Sequence, residues 1–85
     1  MKMKIKRLRA DKRKVADTAV AYRLFRIRNT SGNRFAIKVS TDDESATCDF
    51  GCDYVKAFDI YTKIVRSEVT PCSLRDIAED FAKSV

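Results

Sequence analysis

A chain of 85 residues is one domain at most, and a domain this short buries only about 60% of the surface its unfolded chain exposes, so its stability is marginal. The hydrophobic content of 45% argues against a disordered chain, and no run approaches the roughly 18 apolar residues of a membrane span. The net charge of +6 is segregated: residues 1–14 hold eight bases against Asp11, Thr18 to Thr41 holds five bases and no acid, and Asp42 to Asp53 holds five acids and no base.

The leading MKMKIKRLRADKRK places Met1, Ile5, Leu8 and Val15 on one helical stripe, but Lys12 interrupts it. Composition favours a solvated, mostly disordered arm over a helix, so residues 1–17 are expected as a flexible basic arm before a domain at 18–85. The basic start leads into ADKRKVADTAVAY instead of an apolar signal core, and Cys48, Cys52 and Cys72 are an odd, irregularly spaced set. Both features predict a cytoplasmic protein with reduced thiols.

Strands are expected from Val20 onward. In RFAIKVS, Phe35, Ile37 and Val39 alternate with Arg34, Ala36 and Lys38, the period of a half-buried strand. Pairing Ile27 with Phe35 and Phe25 with Ile37 gives a matching apolar face and a three-residue loop, Thr30-Ser31-Gly32. This register turns Tyr22, Leu24, Arg26 and Arg28 away from the core, beside Arg34 and Lys38. ATCDF reads as a short third strand ended by Gly51.

Asp53 is the expected cap of a helix with the stripe Tyr54, Ala57, Phe58, Tyr61, Ile64 and Val65, bordered by Val55 and Ile60 as partly exposed positions. Pro71 precedes a second helix capped by Ser73, with Leu74, Ile77, Ala78 and Phe81 on one face. The fold class is therefore α+β: an antiparallel β-hairpin or three-stranded meander with two C-terminal helices packed on one face. Its expected core is Phe25, Ile27, Phe35, Ile37, Val39, Phe58, Tyr61, Ile64, Val65, Leu74, Ile77 and Phe81.

Tyr22 and Leu24 in a leading Tyr-x-Leu strand, followed by a hairpin, a helix and Val69-x-Pro71-x-x-Leu74-x-Asp76-Ile77-x-x-Asp80-Phe81, resemble a family of short uncharacterised proteins of Gram-positive bacteria, a domain of unknown function. The resemblance spans roughly residues 22–81 and implies a small α+β fold in a bacterial protein, with no assigned chemistry. The basic arm, Cys48 and Cys52 lie outside its pattern.

No catalytic constellation stands out. The chain has no histidine, its C-x3-C spacing does not match paired zinc ligands, and its two glycines build neither nucleotide fingerprint, so no metal, cofactor or enzymatic activity is expected. Cys72, just before the second helix, is a position where a thiol pKa is lowered, yet it lacks a histidine base.

Two functional readings remain. The first is a non-catalytic interaction or regulatory module that docks a protein through Val55, Ile60, Asp76 and Asp80 or through an open sheet edge, which also leaves homo-oligomerisation available. The second is sequence-independent nucleic-acid binding. It rests on phosphate contacts from Lys2, Lys4, Lys6, Arg7 and Arg9 in the arm and from Arg26, Arg28, Arg34 and Lys38 on the hairpin, with Tyr22 as an aromatic platform. Against it stands neutralisation of the hairpin within the fold by the acids between Asp42 and Asp53. Attachment of the arm to an anionic membrane surface is a third, weaker reading, because the apolar stripe is thin.

Overall fold

A computed structural model describes the backbone of residues 3–83 and the side chains through Ile77. Met1 and Lys2, and the side chains of Ala78, Asp80 and Phe81, singled out above, lie outside what is described. Four strands form one antiparallel sheet in sequence order: β1 (Lys4–Val15), β2 (Thr18–Asn29), β3 (Gly32–Ser40) and β4 (Ser45–Asp49). Helices α1 (Tyr54–Arg66) and α2 (Pro71–Lys83) follow and pack on one side. The α+β class with helices after the strands is as the sequence predicts, and the meander has one strand more.

The extra strand is β1. The segment expected as a solvated arm pairs with β2 from Lys4↔Arg28 to Val15↔Thr18, with one shift of register between Arg7 and Arg9. Its hydrogen bonds need no apolar alternation, and its bases project from a free edge, where charge discourages pairing with a further chain. The β1–β2 connection at Ala16 and Asp17 has φ of 48° and 68°, as a two-residue type I′ hairpin turn requires.

The second correction concerns β2. Leu24 pairs with Ile37 and Tyr22 with Val39, so Val20, Tyr22 and Leu24 face the helices and are buried. Phe25 and Ile27, expected in the core, lie partly buried on the opposite side, opposite Ala36 and Arg34. The observed register closes with Asn29↔Gly32 and leaves Thr30-Ser31 as the connection, one residue shorter than expected, and a one-residue slip exchanges the two faces of a strand. Asn29 accepts a hydrogen bond from the Ser31 amide at 2.9 Å, a side-chain turn that supports the tight connection.

Phe35, Ile37 and Val39 are buried as expected, with Tyr61, Ile64, Val65 and Leu74 from the helices; Phe58 and Ile77 pack partly buried at the margin. Ile60 is also buried, at 7% exposure, whereas Val55 is open at 74%. Ala46 and Phe50 carry β4 into the core, with Cys48 partly buried between them.

Tyr22 can occupy the core because its hydroxyl donates to the Val69 carbonyl at 2.9 Å, which ties the α1–α2 connection to the sheet. Above it, the Tyr61 hydroxyl donates to Asp11 at 2.7 Å and lies 3.1 Å from the Tyr22 carbonyl. Asp11 and Tyr22 are cross-strand partners, so one helical side chain holds β1 and β2 together.

Asp53 caps α1 by accepting from the Val55 and Lys56 amides, and Asp59 and Lys63 form the expected i,i+4 ion pair at 3.1 Å. At the other end Glu68 has φ of 53°, its amide bonds the Val65 carbonyl, and the Val69 amide bonds the Ile64 carbonyl. This is a Schellman closure with a glutamate in the left-handed position. Helix α2 begins at Pro71, two residues before the expected Ser73 cap. Proline suits a first helical position, and the Thr70 carbonyl accepts from the Leu74 amide at 3.0 Å.

Two stability changes follow from these contacts. Glu68→Gly relieves a left-handed L-residue and is expected to raise unfolding free energy by about 0.5–1 kcal/mol in urea titrations; no gain contradicts the closure described. Tyr61→Phe is expected to cost about 1–2 kcal/mol and to speed amide exchange in residues 4–15 before the rest of the sheet. Unchanged protection of those amides contradicts the role given to Tyr61.

Candidate nucleic-acid interface

Strand pairing decides where each base projects. On the helix side of β1 and β2 lie Lys4, Lys6, Arg9, Arg13, Arg26 and Arg28; on the outer side lie Arg7, Lys12, Lys14 and Arg23, continued on β3 by Arg34 and Lys38. The arm and hairpin cations expected to act together are therefore joined in one sheet and divided between its two faces. Arg26 and Arg28 do not share a face with Arg34 and Lys38, because the β2 register differs by one residue from the expected one.

The outer face has no described element over it. Across its middle run two rows, Arg7–Phe25–Ala36–Asp49 and Ala10–Arg23–Lys38–Thr47. Phe25, Arg23 and Lys38 are partly buried against their neighbours, and Ile5 at the end of the face is 58% exposed. Phe25 thus takes the position expected of Tyr22, an aromatic ring among cations, while Tyr22 itself is inside. Lys12 and Lys14 belong to the basic segment 2–14 expected to bind, whereas Arg23 and Phe25 are site residues that the sequence does not single out. A sign of them existed in the second apolar stripe, Val20-x-Tyr22-x-Leu24, which competes with Phe25-x-Ile27 for the core.

Asp49 is the one acid among the described strand positions on this face, and it is already engaged. Arg34 grips it through Nε at 2.6 Å and a terminal nitrogen at 3.2 Å, and the Gly51 amide donates to it at 2.7 Å. Burial raises the Asp49 pKa, but the Arg34 hydrogen bond, the Gly51 amide and the Arg34 charge outweigh it and hold the carboxyl below its ordinary value. One hairpin base is thereby neutralised within the fold, as the competing reading anticipated; Asp53 instead caps α1.

On the helix side Arg9 lies over the Phe58 ring, 5.4 Å from its centroid, and Phe58 continues through Tyr54 to Phe35 at centroid separations of 5.9 and 5.5 Å. Arg9 thus has a packing role in fixing β1 to α1. The proposed docking residues do not form one patch: Val55 is exposed on α1, Ile60 is buried beneath the same helix, and Asp76 is exposed on α2.

Cys72 donates to Glu44 at 3.3 Å, and that hydrogen bond with the glutamate charge raises its pKa, the reverse of the lowering expected from its place at a helix start. Burial likewise raises Cys48. Among the described residues, no three cysteine, aspartate or glutamate side chains converge on a metal site, and no helix is long and apolar enough to cross a membrane. Comparison with protein-family models, curated proteins and solved structures finds no match to this chain.

The Arg34–Asp49 contact has a pH signature. A carboxyl whose folded pKa is depressed contributes stability above its unfolded value, about 3.9, and loses that contribution as pH falls through the lower folded value. NMR titration of the Asp49 carboxyl is expected to give a midpoint below the free value, with Arg34→Ala moving it upward. A normal midpoint in the intact protein contradicts the contact.

Proposed function

We propose that the protein is a non-catalytic module that binds nucleic acid without sequence preference, favouring single strands, through the outer face of its sheet. The observation that carries this reading is the gathering of Arg7, Arg23 and Lys38 about Phe25 on one uncovered face, with Lys12 farther along the same face, Lys14 beyond it paired to Asp17 at 3.9 Å, and Asp49 already held by Arg34. Cations along a strand surface track a phosphate backbone, and the part of the Phe25 ring left open receives an unpaired base of any identity. A flat antiparallel surface offers no helix for a major groove, which favours backbone and stacking contacts over base-edge readout. The rival protein-docking reading has less support, since Ile60 is buried and Val55 and Asp76 are on different helices.

Fluorescence anisotropy with a short mixed-sequence single strand tests the proposal. If about five phosphates are neutralised, log affinity is expected to fall against log salt with a slope of about −3.5. Arg23→Ala/Lys38→Ala should flatten the slope by about 1.4, and Phe25→Ala should cost about 1–3 kcal/mol with the salt slope unchanged. Circular dichroism verifies that each variant is folded. Absence of binding, or affinity indifferent to salt and to both variants, overturns the reading.

A further inference from the structure

The shift of register at Arg7/Arg9 has an effect on the opposite side of the sheet. With unbroken pairing from Arg9↔Leu24, positions 5 and 7 would face the helices; the bulge sends Lys4 and Lys6 there instead. Lys4 then stands directly across from Arg28 and Lys6 directly across from Arg26. Directly opposed residues have β-carbons about 5 Å apart and alternate residues of a strand are about 7 Å apart, so four cationic stems rise from one small rectangle. Two successive like-charge pairs destabilise a ladder, and Arg26 Nε is buried with no hydrogen-bond partner. Over these side chains is a cleft of about 460 Å³ lined by Lys4, Ile5, Lys6, Arg26 and Arg28, and beside it a second of about 310 Å³ lined by Lys4, Arg28, Asn29 and Thr30.

We propose that this cleft binds a linked di- or triphosphate, with Arg26 and Arg28 as forked donors and Lys4 and Lys6 as point charges. Four positive charges on so small an area exceed what one phosphate neutralises, whereas linked phosphates bring several negative charges and many acceptor oxygens into the volume available. The cross-strand repulsions between Lys4 and Arg28 and between Lys6 and Arg26 are relieved. Asn29 and Thr30 line the adjoining space with neutral polar groups suited to whatever the phosphates are attached to. The same chemistry is presented by a free oligophosphate and by the 5′-triphosphate end of a nucleic acid. The site is on the side of the sheet opposite the face proposed for strand binding, so it stands or falls independently of that reading.

Calorimetric titration of the full chain with inorganic tripolyphosphate, at about 50 mM salt, tests the proposal. Binding is expected, with affinity reduced about tenfold or more in Lys4→Gln/Lys6→Gln, at two exposed positions, and in Arg26→Gln, each checked for folding by circular dichroism. Arg23→Ala/Lys38→Ala on the outer face should bind tripolyphosphate as the parent does. A 5′-triphosphorylated oligonucleotide that outbinds its 5′-hydroxyl counterpart identifies a nucleic-acid end as the source; equal binding of the two, with tripolyphosphate still bound, identifies the free compound. No binding of tripolyphosphate, affinity no greater than for inorganic phosphate, or equal weakening by the outer-face variant overturns the proposal.

Discussion

Tyr22 sets the geometry of this fold. A tyrosine inside a small core needs a partner for its hydroxyl, and the Val69 carbonyl at 2.9 Å supplies one at the connection between the two helices. With Tyr22 inside, Val20 and Leu24 follow it into the core by alternation, and Arg23, Phe25 and Ile27 are sent to the far side. The Tyr61 hydroxyl, between Asp11 and the Tyr22 backbone, then fastens the edge strand to the same point. A single buried residue thereby relates helix packing, strand register and the distribution of charge. Burial, together with the charge of Asp11, raises the Tyr61 phenol well above its ordinary pKa, so the donor keeps its proton through the neutral range.

The chemistry of the surface is a consequence of that arrangement. An 85-residue domain has little core to spare, yet it leaves Phe25 and Ile27 partly exposed on a face with no described element over it. Apolar side chains on an uncovered face among cations are costly for solubility and favourable for a partner that is both anionic and flat. On the helix side the bulge in β1 works in the opposite sense: it removes Ile5 and Arg7 from that face and gathers two lysines against two arginines. Bulges concentrate where a side chain has to be re-aimed, and here the re-aiming puts Lys4 and Lys6, in place of Ile5 and Arg7, against Arg26 and Arg28 on one side while placing Arg7 beside Phe25 on the other.

Much of this was legible in the residues, and the failures have physical causes. The sidedness of β3 was readable because Phe35, Ile37 and Val39 alternate with hydrophilic or small neighbours, and α1 because Asp53 caps a full apolar stripe. β2 was readable as a strand but not in its orientation, since apolar residues occupy both of its parities; the choice is made by a hydrogen bond to residue 69 that no local window contains. β1 was illegible because its bases mimic a disordered tail, and its strand form depends on hydrogen bonds to β2 and on distant contacts of Arg9 and Asp11 with α1. The candidate surface was therefore half visible: Arg7, Arg34 and Lys38 were identified, while Arg23 and Phe25 were hidden by the parity of β2.

The claim on which all of this rests is that β1 is zipped to β2 and that β2 turns Tyr22 and Leu24 inward. An assigned nuclear Overhauser spectrum tests it most directly. The account predicts cross-strand contacts between Leu24 and Ile37, between Tyr22 and Val39, and between Asp11 and Tyr22. Contacts joining Phe25 to Ile37 and Ile27 to Phe35, or random-coil shifts throughout residues 4–15, would contradict it.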